Sequence, residues 1–358
     1  MISNPNYLLD YSKEELFQLM PELNLPSYRA AQLYNGIYVK RWSDFSTFST
    51  LPKSLRYTFQ QKFRLQTLTE VDRIRSPHDG TTKFLWNLQD GKQIESVIIY
   101  EKQRVTFCIS SQVGCPLDCK FCATGNMGLL RNLSSGEILE QVIKMTSYAE
   151  KEPTNIVFMG MGEPLLNYDN VIKAAHAMID PGGLCFSHKK ITLSTSGLIK
   201  NIYRLSDEQQ PFSFAISLNA TDQQTRQQIM PVSRKYPLNA LMEAARYYTQ
   251  KTGKRITFEY VLIDGLNASK ADAKRLIKLT HSIPCKINII PCNSDLPQYQ
   301  PPDESTIEEF DRLVNHKQRT ITIRNRKGWE IKAACGQLYA SHHKTSNTKV
   351  KTFETIDL

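Results

Sequence analysis

Four of the chain's eight cysteines fall between residues 108 and 122, and three of these form Cys115-Pro-Leu-Asp-Cys119-Lys-Phe-Cys122, a C-x3-C-x2-C run on one short loop. Three thiolates held this close can ligate metal. A closed structural zinc site needs a fourth ligand, and none of the seven histidines lies near the loop in sequence. A four-iron cluster held by three cysteines leaves one iron open to a substrate or cofactor, and thiolate ligation suits iron-sulfur chemistry. In a reducing compartment the eight thiols do not form a disulfide framework, so metal binding or chemistry is the better account of their clustering.

The loop follows the first of six β-rich runs, VTFCIS, NIVFMG, KKITLSTS, FSFAISL, RITFEYVLI and KINIIPC, which alternate with helical patterns such as SSGEILEQVIKMTSYAE and NALMEAARYYTQKTG. Six strand-helix units predict an α/β fold with a parallel sheet closed, or partly closed, as a (β/α)6 barrel. Function in such barrels gathers at the C-terminal ends of the strands. The stretches to watch are therefore Gly114 to Cys122, Gly160 to Pro164, Ser194 to Gly197, Ser217 to Ala220 and Pro291 to Asn293. Ahead of this core, residues 1–75 carry apolar residues at helical spacing and predict a small helical accessory domain. Residues 76–104 contain two alternating runs around Asp90-Gly91, a hairpin signal. The core is expected to span 105–335 and end at a loop carrying Cys335, with a polar tail over 336–358.

With 41% hydrophobic and 22% charged residues in 358, the chain is neither disordered nor fibrous. No apolar run approaches the roughly 18 residues of a membrane span, and the start, MISNPNYLLDYSKEEL, has acids where a signal peptide is basic; a cytoplasmic protein without membrane contact is expected. The balance of 45 Lys+Arg against 35 Asp+Glu makes nucleic acid the first candidate partner. Half of that surplus sits between Phe310 and Cys335, where Arg312, Lys317, Arg319, Arg324, Arg326, Lys327 and Lys332 face only Asp311 and Glu330.

The cysteine spacing after the first core strand resembles the radical S-adenosylmethionine (SAM) superfamily, and Met159-Gly160-Met161-Gly162-Glu163-Pro164 resembles its glycine- and glutamate-containing motif. FCISSQVGCPLDCKFCATGNMG, FMGMGEPLLN, ITLSTSG, FAISLNA, NIIPCN and AACGQLY together are similar to the RlmN/Cfr group of RNA adenine methyltransferases, over residues 28 to 340. Gly162 to Asn167 and Ser111 to Pro116 look more like the RlmN branch, which methylates adenine C2, than the resistance branch, which methylates C8. Gly36-Ile37 depart from the group, standing where its pattern carries an aromatic.

The resemblance implies a partial (β/α)6 TIM-like radical SAM barrel and one [4Fe-4S] cluster on Cys115, Cys119 and Cys122. It further implies two SAM molecules per turnover, with SAM contacts from Gly162, Glu163, Ser194, Ser217, Leu218, Asn219 and Asn293. Cys335 would take a methyl group from one SAM and carry it to the adenine after a second SAM is cleaved at the cluster. Cys108 would resolve the protein-RNA adduct, leaving a transient disulfide with Cys335, and Glu95 would accept a proton. A radical route suits the target, because an adenine C2–H is neither acidic nor nucleophilic. The implied partners are 23S rRNA, some tRNAs, and an electron donor such as a flavodoxin or ferredoxin, for an enzyme expected to be monomeric. Cys185, Cys285 and Cys292 match no catalytic position and read as packing residues. The rivals are C8 methylation, a radical SAM enzyme with a non-RNA substrate, and a non-enzymatic RNA-binding protein with structural zinc.

Overall fold

The computed structural model describes residues 6–315, 320–324, 326–340, 351, 352 and 355. The N-terminal part pairs β1 (Asn6–Tyr7) with β2 (Phe63–Arg64) around α1 (Lys13–Glu22), α2 (Tyr28–Tyr38) and α3 (Lys53–Lys62). Ser12 and Glu15 close a capping box at the start of α1. The helices bury Leu16, Met20, Leu33, Ile37 and Phe59 on one side, as their spacing requires. Gly36 makes room for its neighbours: a Cβ there would come within 2.4 Å of the Phe48 ring.

The chain then forms β3 (Thr69–Arg75), β4 (Thr82–Asn87), β5 (Gln93–Glu101) and β6 (Arg104–Cys108), followed by a ribbon of β7 (Gln112–Cys115) and β8 (Gly128–Asn132). Next come α4 (Ser135–Tyr148), β9 (Asn155–Phe158), α5 (Tyr168–Ile179), β10 (Ile191–Thr195), α6 (Ile199–Asp207), β11 (Ser213–Ser217), α7 (Gln223–Ile229) and α8 (Leu238–Thr252). The described core ends with β12 (Ile256–Leu262), α9 (Lys270–Thr280), β13 (Cys285–Pro291), α10 (Glu304–Val314) and β14 (Thr320–Ile323). One ten-stranded sheet runs in the order β14-β13-β12-β11-β10-β9-β6-β5-β4-β3. From β6 to β14 every pairing is parallel, while β5, β4 and β3 add an antiparallel extension. All six expected core strands are present in the expected order, and among the described residues β3 and β14 are the outermost strands. Among the described residues no helix is long and apolar enough to cross a membrane.

Three stretches differ from the sequence expectation. Helical structure ends at Lys62, and Thr69–Arg75 is the outer strand of the antiparallel extension, almost wholly exposed and studded with charge as edge strands are. Thr320–Ile323, read only as part of a basic run, is a seventh parallel strand whose β-branched residues pair with β13. The segment Gly336–Ala340 is not a polar tail, because Gln337, Leu338 and Ala340 are buried against the core. Farther on, Lys351 bridges to Leu129. Lys317, Arg319 and most of the rest of the expected tail lie outside the described residues.

Candidate active site

The cysteine loop is suspended from the β7–β8 ribbon, in which Cys115 pairs with Gly128. Gly114 has φ +79, and a Cβ there would lie 1.9 Å from the Gly128 carbonyl oxygen. No side chain fits without parting the ribbon one residue before the first thiol. Gly114→Ala is therefore expected to lose most of its bound iron while keeping its secondary structure. Iron and sulfide assays beside circular dichroism would check this, and a wild-type iron content would overturn it.

One cleft at the C-terminal ends of the parallel strands gathers most of the predicted residues. Its lining includes Cys115, Cys119 and Cys122, Gly162 and Glu163 after β9, and Ser194 on β10. Ser217 and Asn219 line it at the end of β11, Asn293 after β13, and Cys335 across the mouth. Leu218 does not reach the cleft; it is packed in the core, and its backbone N–H donates to the Glu259 carbonyl at 2.9 Å. Cys108 and Glu95 also lie outside the lining. Cys108 is buried at the end of β6, close enough to Cys335 for the two thiols to influence each other. Glu95 on β5 is buried, paired with Lys83 Nζ at 3.0 Å, and accepts from the Tyr339 N–H at 2.8 Å. Burial raises its carboxyl, and Lys83 pulls it back.

Several contacts tie the Cys335 segment to the cysteine loop. Ala123 N–H donates to the Gly336 carbonyl at 2.7 Å, and Thr124 Oγ1 donates to the Leu338 carbonyl at 2.6 Å. Asn293 Nδ2 approaches the Cys335 carbonyl at 3.5 Å, and Arg326 Nε holds the Asn293 oxygen at 2.9 Å. At the far end of the segment, Gly328 N–H donates to Asp79 at 3.1 Å and Ser76 bonds to Glu330. As a residue Cys335 is exposed on the cleft wall. Burial of the sulfur itself raises its thiol well above the ordinary value; Glu259 and Cys108 add to the rise and Arg324 opposes it.

The donor set suits a cluster. Burial raises all three loop thiols, Cys119 to about 12, so their thiolates call for a cation in contact with them. Among the described residues no three His, Cys, Asp or Glu side chains converge as a single-ion site, whereas a four-iron cube spreads its ligands more widely. Glu163 suits the ammonium group of an amino acid moiety. Its two oxygens are fixed by the N–H groups of Ser196 at 2.8 Å and Leu165 at 3.1 Å, and burial pushes its carboxyl up to about 7.

An ammonium ligand binds the ionised form of Glu163. Below about pH 7 binding must first expel the proton that burial retains, and above it the carboxylate is already formed. SAM affinity of the cluster-loaded protein is thus expected to rise with pH from 6 to 8, with proton release on binding. Calorimetry in two buffers of different ionisation enthalpy reads that release, and proton uptake would contradict it.

Sequence reading missed two side chains here. Glu259, mid-strand on β12, lines the cleft; Ser194 Oγ donates to one oxygen at 3.4 Å, while the other lies 3.6 Å from Arg324 Nη2 and has no hydrogen bond. An acid inside the apolar run RITFEYVLI was its available signal. Arg226 on α7 is buried beneath the cleft floor.

Comparison with known proteins agrees with this geometry. The Radical SAM superfamily matches residues 109–277, and the ribosomal RNA large subunit methyltransferase N-terminal domain matches residues 6–65. A radical SAM methyltransferase from Sphaerobacter thermophilus superimposes with a TM-score of 0.90 at 38% identity, covering 94% of this chain and all of that one. The dual-specificity RNA methyltransferase RlmN of Syntrophobacter fumaroxidans is 41% identical over 341 residues, 94% of this chain and 99% of the relative. A probable dual-specificity RNA methyltransferase RlmN of Clostridium botulinum is 40% identical over 344 residues, 96% and 99% of the two chains. The fold and cleft are those of a radical SAM enzyme, a class that implies a [4Fe-4S] cluster and SAM. Within that class the chain belongs to the RlmN family of RNA methyltransferases.

Proposed function

We propose that the chain methylates C2 of an adenine in 23S rRNA, and of the adenine beside the anticodon in some tRNAs, through an S-methyl group on Cys335. The observation that carries this reading is the presence of Cys335 in the same cleft as the three loop cysteines and Glu163. When bound, the cluster and SAM supply a carbon radical strong enough to remove a hydrogen atom from a methyl group. Glu163 orients the amino acid end of SAM, while Ser194, Ser217, Asn219 and Asn293 face its remaining polar edges. Cys335 accepts the methyl on sulfur, and once that methyl has lost a hydrogen atom to the carbon radical its carbon bonds to C2 of the adenine. The adduct must then give up one electron, which would return to the oxidised cluster, and its C2 proton, which Cys108 removes, with Glu95 as the acidic proton acceptor. Cys108 sulfur attacks the Cys335 sulfur and breaks its bond to carbon; the released carbon takes up a proton to become the methyl group, and the resulting disulfide is reopened by the cell's reductants.

The RNA side of the cleft is basic. Arg324, Arg326, Lys327 and Lys332 lie on the segment leading to Cys335, and Trp329 and Tyr339 are exposed on either side of it. Arg326 lies over the Trp329 ring at 5.1 Å. The helical N-terminal domain is the second RNA contact in this reading. Phosphate contacts make affinity fall with salt, and flipping the adenine out costs a few kcal/mol unless it already sits in a loop. The protein acts as a cytoplasmic monomer fed electrons by a flavodoxin or ferredoxin.

Peptide mass spectrometry across Cys335, on anaerobically cluster-loaded protein exposed to SAM, tests the proposal, with the other cysteines as internal controls. A single methyl on Cys335 is the expected result. An unmethylated Cys335 on a protein that cleaves SAM would remove the methyl-relay assignment. Product analysis then separates C2 from C8.

A further inference from the structure

Arg226 is fully buried, yet its hydrogen bonds go only to neutral groups. Nε donates to the Leu218 carbonyl at 3.0 Å, and Nη2 to the carbonyls of Ser196 at 2.7 Å and Ser217 at 3.2 Å. Nη1 bonds to the Ser233 hydroxyl. These four contacts engage all three of its nitrogens and four of its five N–H donors, and tie the ends of β10 and β11 together. They do not neutralise its charge.

Burying a guanidinium without a counter-charge is strongly unfavourable, and neutral residues with amide donors could bridge the same carbonyls without that cost. Nearby acids do not serve. None of the guanidinium's hydrogen bonds goes to an acid: Glu163 accepts from the Ser196 and Leu165 N–H groups, and Glu259 faces Ser194 and Arg324. What Arg226 does adjoin is the wall of the cleft that holds the cysteine loop: Ser196 and Ser217, whose carbonyls it binds, line that cleft together with Cys119. The loop and α7 also touch through the backbone, where Lys120 N–H donates to the Ile229 carbonyl at 2.9 Å at the end of α7.

We propose that Arg226 is the built-in counter-ion of the iron-sulfur cluster and raises its reduction potential. The inference rests on the radical SAM reading of the cysteine loop. A cluster on three thiolates carries net negative charge that grows by one unit on reduction. A fixed buried cation behind the wall of the cluster's cleft therefore stabilises the reduced form more than the oxidised one, and brings the cluster within range of its electron donor. Arg226 acts through the cluster, so it is a positioning residue whose signature is a potential.

The test is an anaerobic redox titration followed by electron paramagnetic resonance on full-length, cluster-loaded protein. Arg226→Gln is expected to reduce the ratio of reduced to oxidised cluster at a fixed potential at least tenfold, about 59 mV for a one-electron couple. Arg226→Lys keeps the charge and should stay near the wild-type midpoint. Ser233→Asp sets a carboxylate on the retained guanidinium and should lower the midpoint, while the isosteric Ser233→Asn should not. This second pair decides the matter if Arg226→Gln fails to fold or assemble a cluster. An unmoved midpoint in Arg226→Gln, an equal shift in Arg226→Lys, or no difference between the two Ser233 variants would overturn the inference. Wild-type protein that assembles no cluster would instead overturn the reading on which it rests.

Discussion

Cys335→Ala is expected to bind a full iron-sulfur complement and cleave SAM, yet to transfer no methyl to RNA. The segment around it is anchored by backbone and neighbouring groups: Ala123 to Gly336, Thr124 to Leu338, and Asn293 to the Cys335 carbonyl. None of these bonds uses the sulfur, so the cleft should keep its shape. Removing a covalent nucleophile from an otherwise intact site lowers turnover on the order of a million-fold, which here means background. Measuring 5′-deoxyadenosine and methylated adenine in one reaction separates the two halves of the chemistry. Methylated RNA from this variant would remove Cys335 from the mechanism.

Cys108→Ala should fail later, and differently. The residue pairs with Val97 and Val157 near the centre of the sheet, and trimming one buried sulfur there costs on the order of 1 kcal/mol, so the fold survives. Without the second thiol nothing attacks the Cys335 sulfur, and the protein remains covalently joined to its RNA. The variant is expected to purify with RNA that persists through denaturation and disappears on nuclease digestion. Purified protein free of RNA, yet carrying S-methyl-Cys335, would show that another group resolves the adduct.

Much of this architecture was legible in the chain. Six β-rich runs gave the strand order because parallel strands are buried on both faces and read as nearly continuous apolar stretches, as in RITFEYVLI. The thiols of one loop, and the glycine-glutamate turn, are local features that sequence carries directly. Roles for Cys108 and Cys335 came from resemblance, since no spacing rule connects residues so far apart. Edge strands were harder: Thr69–Arg75 is polar and lacks alternation, and Thr320–Ile323 alternates over only four residues, too few to stand out inside a basic run. Arg226 sits in Gln-Gln-Thr-Arg-Gln-Gln-Ile, which reads as a solvated helix face until the fold places it under the cleft. The bond between Glu95 and Tyr339 joins positions that only tertiary structure brings together.

The outermost described strands of the great sheet, β3 and β14, do not pair with each other. The seam between them is fastened by the chain that runs past Cys335, through Ser76 to Glu330, Asp79 to Gly328 and Glu95 to Tyr339. The chain that closes the seam is thus the same chain that carries the reactive thiol, and each of the bonds holding it is worth about 1 kcal/mol. Ser76 and Asp79, which take no part in the chemistry and lie 254 and 249 residues from Glu330 and Gly328 in sequence, help hold the wall on which Cys335 stands.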